Sequence, residues 1–130
     1  MAFFLEFDAT NNILRVRLEG RVTDAILLDC YANTARCAAS HPACRGIADV
    51  SGVTKFDVST TAIRQLAETP PAIPPPHIRV FVAPQAHVYG MARMFQILSS
   101  HTRPNLHVVH TMAEAYHLLQ VESPEFSPVS

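Results

Sequence analysis

The residues in this sequence best suited to chemistry fall in a few short stretches. They are Arg21; Asp49 and Ser51, followed by Asp57 and Ser59; Gln85, His87, Tyr89 and Arg93; and His110. Hydroxyls and imidazoles of this kind could support nucleophilic attack, with Ser51 or Ser59 as nucleophile and His87 or His110 as base. Such a pair also needs a group that orients the base and donors that receive an oxyanion, and no spacing here supplies either. The Gly-x-Ser-x-Gly elbow is missing, because Gly52 follows Ser51 directly. With four glycines in the chain, neither the Gly-x-Gly-x-x-Gly loop nor the Gly-x-x-x-x-Gly-Lys-Ser/Thr loop can be built. The expectation is a non-catalytic binding rim, with no cofactor.

Seven histidines and three cysteines raise a metal site as the next option. His107 and His110 are three apart on an expected strand and so point to opposite faces. His41, His77 and His101 each sit in or beside a proline-containing turn. Cys30, Cys37 and Cys44 match no usual zinc spacing. Cys30 and Cys37, two helical turns apart, would be separated by about 10 Å along the axis, beyond the ~7 Å reach of a disulfide. Surface histidines and buried free thiols are expected, and no metal.

These residues depend for their positions on alternating elements. Phe3–Phe7 and Ile13–Glu19 read as two strands. The second alternates Leu14, Val16 and Leu18 with Arg15, Arg17 and Glu19. The short connection Asp8–Asn12 makes them an antiparallel hairpin, and Gly20 is expected to end the second strand. Thr23 is an N-cap for a helix running to about Ser40, before His41-Pro42. A strand Ile47–Val50 follows, then a polar turn at Asp49, Ser51 and Gly52, then a helix from about Ser59 to Glu68. Five prolines fall between Pro70 and Pro76 and read as a stiff connection. Ile78–Ala83 is a buried strand, followed by a helix from about Ala86 to Ser100. Leu106–His110 is the last strand, and Thr111-x-x-Glu114 is a capping box for the last helix.

The order β-β-α-β-α-β-α-β-α implies an α/β fold with an N-terminal hairpin, a five-stranded and mostly parallel sheet, and four helices. Ligands of such sheets gather outside the carboxyl ends of the strands. Those ends are where Arg21, Asp49, Ser51, Gln85, His87 and His110 fall, with Asp57, Ser59, Tyr89 and Arg93 close in sequence.

At 130 residues, with 48% hydrophobic and 16% charged residues, the chain is sized for one domain over 1–121 and a flexible tail over 122–130. A formal charge of -1 gives no electrostatic reason to bind nucleic acid or anionic lipid. No apolar run approaches the ~20 residues of a membrane span, and Phe3, Phe4 and Leu5 have no basic region before them. A cytoplasmic protein without membrane insertion is expected. The helix from Ala86 carries apolar residues over a wide arc, with Tyr89, Met91, Met94, Phe95 and Ile97 around it. Such an arc is either nearly enclosed or meets another subunit, and these five residues are the candidate interface of a homodimer.

Asp49-Val-Ser-Gly-Val53 followed by Phe56-Asp-Val-Ser59 resembles the core motif of STAS domains, the anti-sigma-factor-antagonist family. Val82-Ala-Pro-Gln-Ala-His-Val-Tyr-Gly-Met-Ala-Arg-Met-Phe95 is similar to small bacterial proteins called SpoIIAA-like, most of which have no assigned function. The resemblance implies a regulatory, protein-interaction role in partner switching. It also implies a phosphorylatable serine, here Ser59, and a regulatory kinase or anti-sigma partner. In this chain Val58 stands where the family has the first serine of a pair, and Thr60 where it has glycine. Read from its position alone, Ser59 is a helix N-cap.

A second role from a different class is a small-ligand carrier, for a lipid or a nucleotide, with Tyr89, Met91, Met94 and Phe95 lining an apolar pocket. An enclosed cavity beside the helix from Ala86 favours the carrier. A flat two-fold contact by that helix favours the interaction domain.

Overall fold

The computed structural model describes residues 2–129. Strands β1 (Phe3–Asp8) and β2 (Ile13–Thr23) form the expected hairpin, with Phe3 opposite Leu18 and Asp8 opposite Ile13. Asp8 holds its turn. The buried carboxylate accepts from the Asn11 backbone N–H at 3.1 Å and from the Asn11 side-chain amide at 2.8 Å.

After the hairpin the chain alternates. Helix α1 (Asp24–Ala39) leads to β3 (Arg45–Asp57), α2 (Thr60–Glu68) to β4 (Arg79–Val82), α3 (Ala86–Leu98) to β5 (Leu106–Val109), and α4 (Met112–Leu119) to β6 (Ser127–Pro128). The sheet order is β5-β4-β3-β2-β1-β6, with β2 to β5 mutually parallel. Thr23, Ser59 and Thr111 cap their helices through side-chain oxygens that accept from Ile26, Ala62 and Glu114 N–H groups. Among the described residues, no helix is long and apolar enough to cross a membrane.

The sheet has two unlike faces. Val16, Leu18, Ala48 and Val50 point to one side and pack with residues of α1 and α3. Ile13, Ile47, Val80, Val82 and Val109 point to the other, where Ala115 and Leu119 of α4 cover them. Strand alternation therefore sends Arg79 and Phe81 to the same side as Val16 and Ala48. On the α4 side, the hairpin end of the sheet is polar. There Glu6 pairs with Arg15 at 2.9 Å and Arg17 at 2.7 Å.

Three sequence expectations change. The strand starting near Ile47 does not end in a turn at Ser51 and Gly52 but continues to Asp57. Likewise β2 does not stop at Gly20. The two strands pair all the way to Thr23 and Asp57, with register shifts between Arg17 and Glu19 and between Gly20 and Arg21. Each shift places an extra residue on β3, which is how a bulge looks in sequence. Gly20 has φ +73, a left-handed conformation that glycine adopts without penalty, so it bends the strand where it was expected to end it.

The third change is the strand count, six where five were expected. The segment expected to be a flexible tail docks on the open edge of β1, whose unpaired backbone groups accept another strand. Val129 N–H donates to the Leu5 carbonyl at 2.9 Å, and Glu125 N–H to Asp8 at 3.2 Å. Phe126 lies under the Arg15 guanidinium, 4.1 Å from ring centroid to Cζ. Ser130 lies outside the described residues. The proline segment is a connection, as expected. Ile73 packs on Gly46 so closely that a Cβ there would sit 2.2 Å from its Cδ1.

Asp8 thus ties the hairpin turn to the C-terminal segment. Burial alone would raise its pKa, but hydrogen bonds from Asn11, Glu125 and Thr10 hold it below the ordinary carboxylate value. A folded pKa below the unfolded one contributes stability at neutral pH that is lost as pH falls below about 4. Asp8→Ala is expected to cost about 1–3 kcal/mol at pH 7, with the difference from wild type shrinking in acid. Urea denaturation at pH 7 and pH 3 checks this, and an equal loss at both would contradict it.

Candidate functional site

The residues expected at the carboxyl ends of the strands form separate small groups. Arg21 Nη2 donates to Asp57 Oδ2 at 2.6 Å between two exposed side chains, and the Arg21 cation draws the Asp57 carboxyl below its usual value. Asp49 Oδ1 accepts from the Ser51 hydroxyl at 2.6 Å and from its N–H at 3.0 Å. Gln85 Nε2 donates to the carbonyls of Ser51 and Val53 at 3.1 and 3.0 Å, pinning the bulged strand to the start of α3. Its Oε1 is buried without a partner among the described residues. His87 is edge-on to Phe56, with ring centroids 6.2 Å apart. Tyr89 stacks on His110 at 4.1 Å. Arg93 is not on this rim. It bonds Gln96, whose amide donates to the carbonyl of Leu106 at the other end of β5.

Ser59 is the most connected of these residues. Its hydroxyl accepts from Ala62 N–H at 3.1 Å and donates to Asp24 Oδ2 at 2.7 Å, while its N–H donates to Asp24 Oδ1 at 2.7 Å. Asp24 is the first residue of α1, so one carboxylate bridges the starts of α1 and α2. The sequence marks Asp24 only as a complement to its own helix dipole, because the pairing crosses 35 residues. Neither Ser51 nor Ser59 is hydrogen-bonded to a histidine among the described residues, and the nucleophile–base pairs drawn from sequence do not form.

The candidate interface set divides. Phe95 is 8% exposed and stacks on Phe81, with centroids 5.7 Å apart. Met91 and Met94 are half-buried in the same cluster, so the fold covers most of the wide apolar arc of α3. Ile97, 65% exposed, and its neighbour Leu98, 42% exposed, point outward.

A cavity of about 100 Å³ lies on the inner side of α3. The sheet supplies Val16, Leu18, Ala48, Val50, Phe56 and Phe81 as its floor. Leu27, Cys30, Tyr31 and Thr34 of α1, Ile63 and Leu66 of α2, and Val88, Met91, Ala92 and Phe95 of α3 form its walls. Burial pushes the Cys30 thiol up to about 11, so it is protonated and unreactive at neutral pH. Tyr31 donates to the Pro70 carbonyl, and Thr34 to the Cys30 carbonyl at 2.7 Å.

Two arginines complete the lining. Arg103, 7% exposed, donates to the carbonyls of Leu66 at 3.2 Å, Ala67 at 3.3 Å and Thr69 at 2.9 Å. Arg79 is half-buried as a residue, with Nε sealed from solvent and without a hydrogen-bond partner among the described residues. Burial, with a smaller contribution from the Arg103 cation, pushes its guanidinium down to about 10, still charged at neutral pH. Sequence reasoning passed over both. The one available signal was an arginine on the inward face of the apolar run Ile78–Ala83.

No family model matches the chain, and no curated protein matches it.

The Ser59 cap and the Asp24 bridge make a local prediction. Ser59→Ala is expected to cost about 1 kcal/mol through loss of the N-cap. Asp24→Ala and Ser59→Ala together should cost less than the sum of the two, by about 0.5 kcal/mol or more. Urea denaturation of the two single variants and the double variant measures the coupling, and strict additivity would show that the bridge carries no energy.

Proposed function

We propose that this chain is a non-catalytic binding domain that holds a small apolar molecule between its sheet and helices α1, α2 and α3. The cavity beside α3 carries this reading. Native interiors are packed with few voids larger than a water molecule, and a void lined by aliphatic and aromatic side chains forgoes dispersion contacts. An apolar ligand restores them, and mostly apolar sites with a few fixed polar groups are the usual form of small-molecule pockets. No serine or histidine is among the residues that line this space, which supports a binding role over a catalytic one.

A second reading rests on a separate observation. Ser59 is exposed, begins a helix and shares its hydroxyl with Asp24, which fits a STAS-type interaction domain switched by phosphorylation at Ser59. A phosphate there adds between about one and a half and two negative charges. It would be favoured by the helix terminus but repelled by Asp24, so modification would open the junction of α1 and α2 to a regulatory kinase or anti-sigma partner. Incubation with anti-sigma kinases from the source cell tests it. The absence of both a mark on Ser59 and a complex would sink this second reading.

For the first reading, benzene serves as a neutral apolar probe. Saturating benzene is expected to raise the thermal unfolding midpoint by about 3 °C or more. Ala92→Phe, which fills the cavity from α3, should abolish that rise. An unmoved wild-type midpoint with benzene and with toluene would contradict a ligand site in this layer.

A further inference from the structure

The cavity lining holds two ionised side chains, Arg79 and Arg103, and no carboxylate. Arg103 is satisfied by three backbone carbonyls. Arg79 is not. No salt bridge or hydrogen bond reaches its guanidinium from the described residues, and its Nε is sealed from water as well. A cation partly withdrawn from water without a counter-charge is disfavoured, and a neutral apolar ligand would leave it without one. The Arg79 side chain comes from the first residue of β4, flanked in the sheet by Gly46 and Leu106, with Cζ 5.3 Å from the centre of the Phe81 ring. Its fork therefore sits at one end of an apolar space.

We propose, resting on the ligand-binding reading above, that the cavity takes a small apolar monocarboxylate, with the carboxylate on Arg79 and the hydrocarbon between the sheet and α3. A guanidinium presents two parallel N–H donors that match the two oxygens of a carboxylate. A single free guanidinium fits one negative charge better than the dianion of a phosphate ester. The space sets the size of the hydrocarbon: engineered cavities of about 150 Å³ accept benzene, so in about 100 Å³ a chain of about four to five carbons, such as the tail of hexanoate, is the right scale. Arg79 and Arg103 also line a hollow of about 10 Å³ beneath Pro71, Pro75 and His77. The charged end of the cavity thus lies near the surface under the proline segment, at the amino ends of β4 and β5, away from the rim that the sequence points to.

Calorimetric titration of the full chain with hexanoate and with hexanamide, its neutral counterpart, tests the assignment. Hexanoate is expected to bind about tenfold or more tightly than hexanamide, the scale of a hydrogen bond to a charged group. Arg79→Met should remove that preference while keeping hexanamide binding, and Ala92→Phe should block both probes. Arg79→Gln, of similar polarity but uncharged, should lose the preference too and provides the comparison should Arg79→Met fail to fold. Equal binding of both probes by wild type, or a preference that survives loss of the Arg79 charge, overturns the carboxylate assignment and leaves the apolar site standing. Binding of neither probe, with no benzene response, overturns both.

Discussion

The parallel ladder between β2 and β3 is the constraint on which the rest depends. It runs from Ile13 against Arg45 to Thr23 against Asp57, well past the mean strand length of ~5–6 residues. Because the strands end side by side, the helices that leave them start side by side. Thr23 caps α1 and Ser59 caps α2, and Asp24 can bridge them only because the ladder delivers both chains to one place. The two bulges on β3 and the left-handed Gly20 let these strands stay paired while twisting toward the helical layer.

That layer is also where packing stops short. Small side chains, Ala48 on the sheet and Ala92 on α3, face the same space as Arg79. Three helices approach one face of the sheet, so their spacing is set by the largest contacts, such as Phe81 on Phe95. Where small residues oppose one another, room remains. A charged side chain at the edge of that room is a different matter from the Glu6, Arg15 and Arg17 cluster on the opposite face. There every charge has a partner, with Glu6 drawn below its usual value and Arg17 raised by their mutual contact. The contrast between the paired and the unpaired arginine is what gives the cavity a polarity.

Much of the fold was legible where local rules act alone. Thr23, Ser59 and Thr111 mark three helix starts through the chemistry of their own side chains, and the alternation of Leu14, Val16 and Leu18 marks a half-covered strand. The polar run Asp49–Gly52 was misread, because its turn-forming residues sit in a strand that bulges rather than stops. That outcome depends on pairing with β2 and not on the residues themselves. The docked C-terminal segment was missed for a similar reason: Phe126 and Val129 find partners in β1 and β2, more than 100 residues earlier. The cavity was legible only in outline. Met91 and Phe95 were expected to line it, but Tyr89 and Met94 were too, and Arg79 looked like one polar residue in an apolar strand. Its significance comes from what does not surround it.

The central claim is that the space beside α3 is a ligand site with Arg79 at its charged end. Side-chain NMR of arginine labelled with nitrogen-15, followed as hexanoate is added, reports on this directly through the Nε–H resonances. The account predicts that the Arg79 resonance, assigned by its loss in Arg79→Gln, shifts progressively to saturation while those of exposed Arg21 and Arg64 stay in place. An Arg79 resonance that does not move, or that moves no more than those of the exposed arginines, would contradict it.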